Sequence, residues 1–275
     1  MDSEGFESLE AAISEISRSC HWNVRIRPLS YSQERILGAA NLRRTVERTK
    51  VYLRGWDFPH LAEEGRNSNV RENCLWSMTR FDEIAEAWKL CTSCQFVGKF
   101  RIRELAQRWQ SKLRFSTFHA AEPFSLNQDL PLVLDLENQI WHIAEYFEFA
   151  ARLAKEADLK EGMKVAVSLV NAGNCAIGSD SILRYIGPHR VNRDDVVRIV
   201  KDLRFDEISS RPYESALSAA KHFLAHFQSD DIRDDVIRQI ISDLYQLRIG
   251  EDASKHGDVP WRAIHDVDSG SPPSG

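Results

Sequence analysis

The chain has 275 residues, enough for one large domain or two small ones. With 43% apolar residues, 28% charged residues and a net charge of −5, it has an ordinary globular composition and is no polyanion binder by bulk charge. No apolar run approaches the ~20 residues of a membrane span, Met1-Asp2-Ser3-Glu4-Gly5 is acidic where a secretory signal opens basic, and five cysteines are too few for a disulfide framework. The expected setting is a reducing cytosol, with no membrane contact.

Leu9, Ala12, Ile13 and Ile16 fall at helical spacing and predict a short amphipathic helix over 8–16. Val24 to Leu29 alternates and reads as a strand ended by Pro28. Gln33 to Val46 reads as a helix, Val51 to Trp56 as a second strand and Val70 to Met78 as a third, after a polar loop at Gly65 to Asn69. Phe81, Ile84, Ala85 and Trp88 share one face, as in a helix, whereas Gln95 to Arg103 alternates as a strand. Residues 117–135 are a break, with a short strand at Leu132 to Leu134. Glu137 to Glu156 is the best helix pattern. It sets Ile140, Ile143, Phe147, Ala150, Ala151 and Ala154 on one face and Glu145, Glu148 and Arg152 opposite. Lys164 to Leu169 and Ile182 to Ile186 read as strands, and Val196 to Leu203 fits either type. Tyr213 to Phe227 and Asp234 to Leu247 read as helices. From Gly250 the chain turns polar and predicts a disordered tail.

Strand and helix signals mix without a strict alternation, so the fold class is α+β. A mixed sheet is expected in the N-terminal half, residues 1–120, and a helix-richer part over 130–249, before a tail at 250–275.

Leu53-Arg54-Gly55-Trp56-Asp57-Phe58-Pro59-His60 is the most informative stretch. Gly55 permits a turn or a close approach, and Pro59 ends any strand. Arg54, Asp57 and His60, with Glu86, are the candidate polar centre of an enzyme. In the competing reading Trp56 and Phe58 are core, Arg54 pairs with Asp57 or another acid, and His60 caps a turn.

The stretch resembles one in a family of uncharacterised bacterial proteins, some of which also carry a Schlafen-like, Alba-type DNA-binding domain. In that family a second landmark follows, roughly Glu-x-Trp-Arg-x-Tyr-x-Ser-Gly-Gln-Phe-Val. This chain matches it at Glu86, Trp88, Ser93, Gln95, Phe96 and Val97, and departs at Lys89, Cys91 and Cys94. The resemblance covers about residues 50–100 and implies no named activity. By association alone it implies a role near nucleic acids or in a defence locus.

Other candidate sites fail on spacing. Cys91 and Cys94 form a C-x-x-C with no second ligand pair, so no metal is expected. His222 and His226 have zincin spacing without the Glu of H-E-x-x-H. Val259 to His265 resembles a fragment of HEPN-type ribonuclease domains, but Arg262 and His265 are too close together for that Arg-x(4–6)-His pattern. Neither phosphate-binding Gly-rich loop nor a G-x-S-x-G elbow is present, and no cofactor is expected.

Charge is uneven along the chain. Residues 18–54 carry nine Lys/Arg against two Glu, and residues 99–114 six against one. Residues 1–118 total +4, which leaves −9 for residues 119–275. Lys99, Arg101, Arg103, Arg108, Lys112 and Arg114 are therefore candidates for binding nucleic acid or a protein partner. Six phosphate contacts would give a slope of about −5 in log K against log salt. The leading expectation is a non-catalytic binding or assembly component of a bacterial system, nucleic-acid-linked or anti-phage, with a protein partner from a neighbouring gene. One alternative is an enzyme centred on Arg54, Asp57, His60 and Glu86. The other is a subunit of a larger complex whose acidic C-terminal half docks a basic partner.

Overall fold

A computed structural model describes residues 6–53, 56–65, 67–81, 84–102, 132–173, 175–179, 190–192, 194–227, 229 and 232–246. Helix α1 (Leu9–Ile16) starts under Ser8, whose hydroxyl accepts from the Ala11 amide, and buries Leu9, Ala12 and Ile16. Strand β1 (His21–Pro28) follows, then α2 (Ala40–Thr49), β2 (Val51–Tyr52) and β3 (Asp57–Phe58). Next come β4 (Ser68–Arg71), β5 (Cys74–Phe81), β6 (Ile84–Cys91) and β7 (Phe96–Arg101). Strand β8 (Leu132–Asp135) leads into α3 (Leu136–Glu156), capped by the Asp135 carboxylate, which accepts from the Asn138 amide at 2.8 Å. Then follow β9 (Met163–Val170), β10 (Cys175–Gly178), β11 (Arg190–Val191), β12 (Val196–Leu203), α4 (Phe205–Ser210), α5 (Pro212–His226) and α6 (Asp234–Gln246).

The class is α+β, built on a seven-stranded sheet of order β12-β9-β1-β7-β6-β5-β4. Every neighbouring pair in it is antiparallel. The expected mixed sheet is thus corrected: among the described residues parallel pairing occurs only between β8 and β10, in a separate three-stranded sheet. Strand β1 sits between β7 and β9, so strands from both halves of the chain share one sheet.

One face of the large sheet carries Trp22, Val24 and Ile26 from β1, with Trp88, Phe96, Val165, Val167, Val197 and Ile199 beside them, all buried. Helix α3 lies on this face and also touches α2, α4, α5 and α6. That position explains a correction to its expected polar face. Glu145 is 0% exposed and Glu148 8%, because helices cover the side turned away from the sheet. Glu148 is satisfied there by Arg152 at 2.8 Å and by the Tyr245 hydroxyl at 3.4 Å. Burial, then the Glu148 charge, pushes the Tyr245 hydroxyl well above its usual pKa.

Four further expectations are corrected. The helix at 33–46 begins only at Ala40, because the Arg35 and Ile36 amides donate to the Thr92 carbonyl in the β6–β7 turn. The strand at 51–56 ends at Tyr52, and β3 folds back on it, pairing Val51 with Phe58. The strand at 70–78 is a hairpin, β4–β5, turning at Glu72 with φ of 52°. Residues 84–91 are strand β6, not a helix: alternate positions Glu86, Trp88 and Leu90 are buried towards the helices, and Ala85 and Ala87 sit under α1.

The cysteine reading also changes. Cys74 and Cys91 face each other in the β5–β6 register and are disulfide-bonded. This removes the cysteine argument for a reducing compartment. Among the described residues no helix is long and apolar enough to cross a membrane. The strand expected at 182–186, the tail and the Arg262/His265 segment lie outside the described residues.

Gly162, in the turn before β9, has φ of 96°, and a Cβ there would come within 2.8 Å of backbone atoms of Leu203 and Arg204. Gly162→Ala should therefore lower the unfolding free energy by about 1–3 kcal/mol or more, measured as a shift in urea midpoint.

Candidate functional site

Two places bring the sequence candidates together. The first is the junction between residues 56–60 and strand β6. The Glu86 carboxylate, 6% exposed, accepts from the Trp56 indole at 3.1 Å and from the His60 amide at 3.2 Å. The Trp88 indole donates to the His60 carbonyl at 2.9 Å. Phe58 is buried against Phe96, Phe100, Tyr146 and Phe149, with ring centroids 5.0–6.3 Å apart. The two landmarks separated in sequence thus meet in space, through one carboxylate, one indole and one aromatic cluster.

The described members of the expected polar centre are engaged in other contacts. Asp57 binds Lys50 at 2.8 Å, and Lys50 also binds Glu47 at 2.9 Å. Burial disfavours the Lys50 charge, but those two acids outweigh it and raise its pKa. The His60 ring stacks on Trp56 at 4.4 Å. Burial lowers its pKa; the Asp57 charge acts against that and the Lys50 charge with it. Arg54 lies outside the described residues.

The remaining polar candidates are structural. Cys94 is buried, and its thiol is pushed up to about 12 by burial, far from a reactive thiolate. His226 accompanies Asp194 at 3.1 Å, and His222 donates to the Arg198 carbonyl at 3.2 Å. Among the described residues no cluster of three or more His, Cys, Asp and Glu could hold a metal.

The second place is the other face of the large sheet. Helix α1 covers it over β5 and β6, through Leu9, Ala12, Ile16, Ala85, Ala87 and Met78. Beyond α1, the face of β7, β1, β9 and β12 lies open among the described residues as a groove of about 690 Å³. Register arranges its side chains in rows. One row runs Lys89, Val97, Arg25, Ala166, Val200. The next runs Ala87, Lys99, Asn23, Ser168, Arg198, and the third Arg27, Lys164, Asp202.

The groove lining holds six cations, Arg25, Arg27, Lys89, Lys99, Lys164 and Arg198, and no carboxylate. Asp202, at its rim, pairs with Lys164 at 3.0 Å. Lys99 donates to Ser17 at 2.7 Å and faces the His21 ring nitrogen at 3.3 Å. Burial, then the Arg25 charge, lowers the Lys99 pKa. Val97, Val196 and Val200 are exposed on the same face.

Of the six basic residues singled out at 99–114, Lys99 and Arg101 alternate onto this face. Arg103, Arg108, Lys112 and Arg114 lie outside the described residues. Lys89, Lys164 and Arg198 were missed because none belongs to a basic run in the sequence. Only strand order and register join them to Arg25. No protein-family model, curated protein or solved structure matches the chain.

Two predictions follow from these environments. Glu86→Ala leaves the Trp56 indole and His60 amide short of an acceptor, and should cost about 1–3 kcal/mol in urea unfolding. A smaller effect would mean that the junction contributes little to the fold. The second concerns His21, which is buried, donates from Nδ1 to the Ser19 carbonyl at 2.8 Å and has its pKa lowered, chiefly by burial. His21 and His60 both take up protons more readily in the unfolded chain, at about pH 6.5. Their contribution is present above that pH and is lost as pH falls through the lowered folded values. The urea midpoint should drop between pH 7.5 and 5.5, and less steeply in the His21→Gln/His60→Gln double variant.

Proposed function

We propose that the protein is a non-catalytic binding or assembly component that holds a polyanionic partner on the open face of its large sheet. The observation that carries this reading is a groove lined by six cations and no carboxylate, in a chain whose net charge is −5. Arg25, Lys89 and Arg198 have no ion-pair partner among the described residues. Like charges gathered without partners repel one another, and an anionic ligand relieves that repulsion. Asp57 is occupied by Lys50, and Glu86 by Trp56 and His60, which favours binding over catalysis. The resemblance of residues 50–100 to a bacterial family associated with DNA-binding domains points the same way.

Inorganic polyphosphate is a suitable first probe, because it carries charge and nothing else for the protein to recognise. The purified chain should bind it at low ionic strength. Arg25→Gln/Arg198→Gln should weaken binding about tenfold or more, the equivalent of one charge-assisted contact. Lys155→Gln/Lys221→Gln, on the helical side, should leave it unchanged. Binding that is absent, or equally sensitive to both pairs, would refute the assignment to this face.

A further inference from the structure

Resting on the polyanion reading, we infer that the partner is single-stranded nucleic acid, laid along the trough between α1 and β12. The first argument is shape. Four strands about 4.8 Å apart make an open strip about 14 Å across, walled on one side by a helix about 10 Å in diameter. Leu9 and Ile13 of α1 form that wall. Sequence reading of a duplex needs a helix or ribbon that enters a groove. Among the described residues the one helix on this face, α1, carries Glu10 and Glu15, with Glu7 just before it, and no basic residue. A phosphate backbone is repelled from it and steered onto the strands.

The second argument is composition. A carboxylate peptide or a simple polyanion needs only cations. This strip also offers Asn23, Gln95 and Ser168, none of whose side chains is hydrogen-bonded to another described residue. Their amide and hydroxyl groups donate and accept, as base edges do. Between the cations lie Val97, Ala166 and Val200, an aliphatic floor on which unstacked bases can rest. Within the groove lining three of the six cations are arginines, whose planar forks match phosphate oxygens. No aromatic side chain faces outward from rows Lys89–Val200 or Ala87–Arg198, so base stacking is replaced by aliphatic contact. Recognition should then be dominated by the backbone, with weak sequence preference.

The test uses the full chain and four probes in fluorescence anisotropy: oligodeoxythymidine, oligouridine, a duplex of equal length and poly-L-glutamate. The single strands should bind, DNA and RNA being separated by which is tighter. The slope of log K against log salt should be about −3, as four to five phosphate contacts give for single strands. Arg25→Gln/Arg198→Gln should reduce that slope by about one to one and a half. Val97→Ser/Val200→Ser should weaken single-strand binding several-fold while leaving polyphosphate binding unchanged, a difference that loss of folding cannot produce. If the duplex or poly-L-glutamate binds as tightly as the single strands, or if the valine variant binds them normally, the single-strand assignment falls and the polyanion reading stands. If neither polyphosphate nor any of the four probes binds, both fall.

Discussion

Helix α3 is buried around nearly its whole circumference, because the sheet lies against one side of it and four other helices close around the rest. The arrangement of the molecule follows from that enclosure. The long helices gather on one face of a seven-stranded sheet, where Trp22 donates to Gln139 at 2.9 Å and the aromatic rings of β1, β6, β7 and α3 interlock. Among the described residues the eight-residue α1 alone lies on the other face, and it is long enough to cover β5 and β6 but not the strands beyond β7. An antiparallel sheet tolerates this, since its alternation can place polar side chains on the solvated side.

Glu86 serves the same enclosure from the edge. It turns inward from β6, between Ala85 and Ala87 beneath α1, and holds residues 56–60 against the sheet through Trp56 and the His60 amide. A buried carboxylate is costly unless its oxygens are filled by donors. Here it fixes the segment that delivers Phe58 to the centre of the aromatic cluster. Asp57, His60 and Glu86, which look like part of a catalytic set in sequence, are bound in space to the segment that carries that one phenyl ring.

What could be read in the sequence follows from which signals are local. The helices at 137–156, 213–227 and 234–247 and the strand at 164–169 each carry one unambiguous period, and they form with bounds shifted by a residue or two. The hairpin at 68–81 was opaque because its turn uses Glu72 at positive φ, with no Gly or Pro to mark it. Residues 81–90 satisfied both periods: Phe81, Ile84, Ala85 and Trp88 fit a helix, and Glu86, Trp88 and Leu90 fit a strand. Pairing with β5 and β7 decided it, and no pairing partner is visible in one segment alone. The Cys74–Cys91 bond was hidden for the same reason, since it depends on the register of two strands.

The open face is the clearest case of a property that only topology creates. Arg25 and Lys99 belong to basic segments and could be suspected from charge counts. Lys89, Lys164 and Arg198 stand in strands whose net charge is zero or +1, with no basic run to mark them. The order β12-β9-β1-β7-β6 sets all five side by side. Their closeness has an internal measure in Lys99, whose ammonium is held below its usual pKa by burial and by Arg25. A fold selected for stability alone would scatter such charges or pair them, as Lys164 is paired with Asp202 and Arg80 with Glu15. Among the described residues no carboxylate pairs with Arg25, Lys89 or Arg198, and none lines the groove. That standing repulsion is a cost to the free protein that an anionic partner removes, and it ties the choice of partner to the same strand order that builds the core.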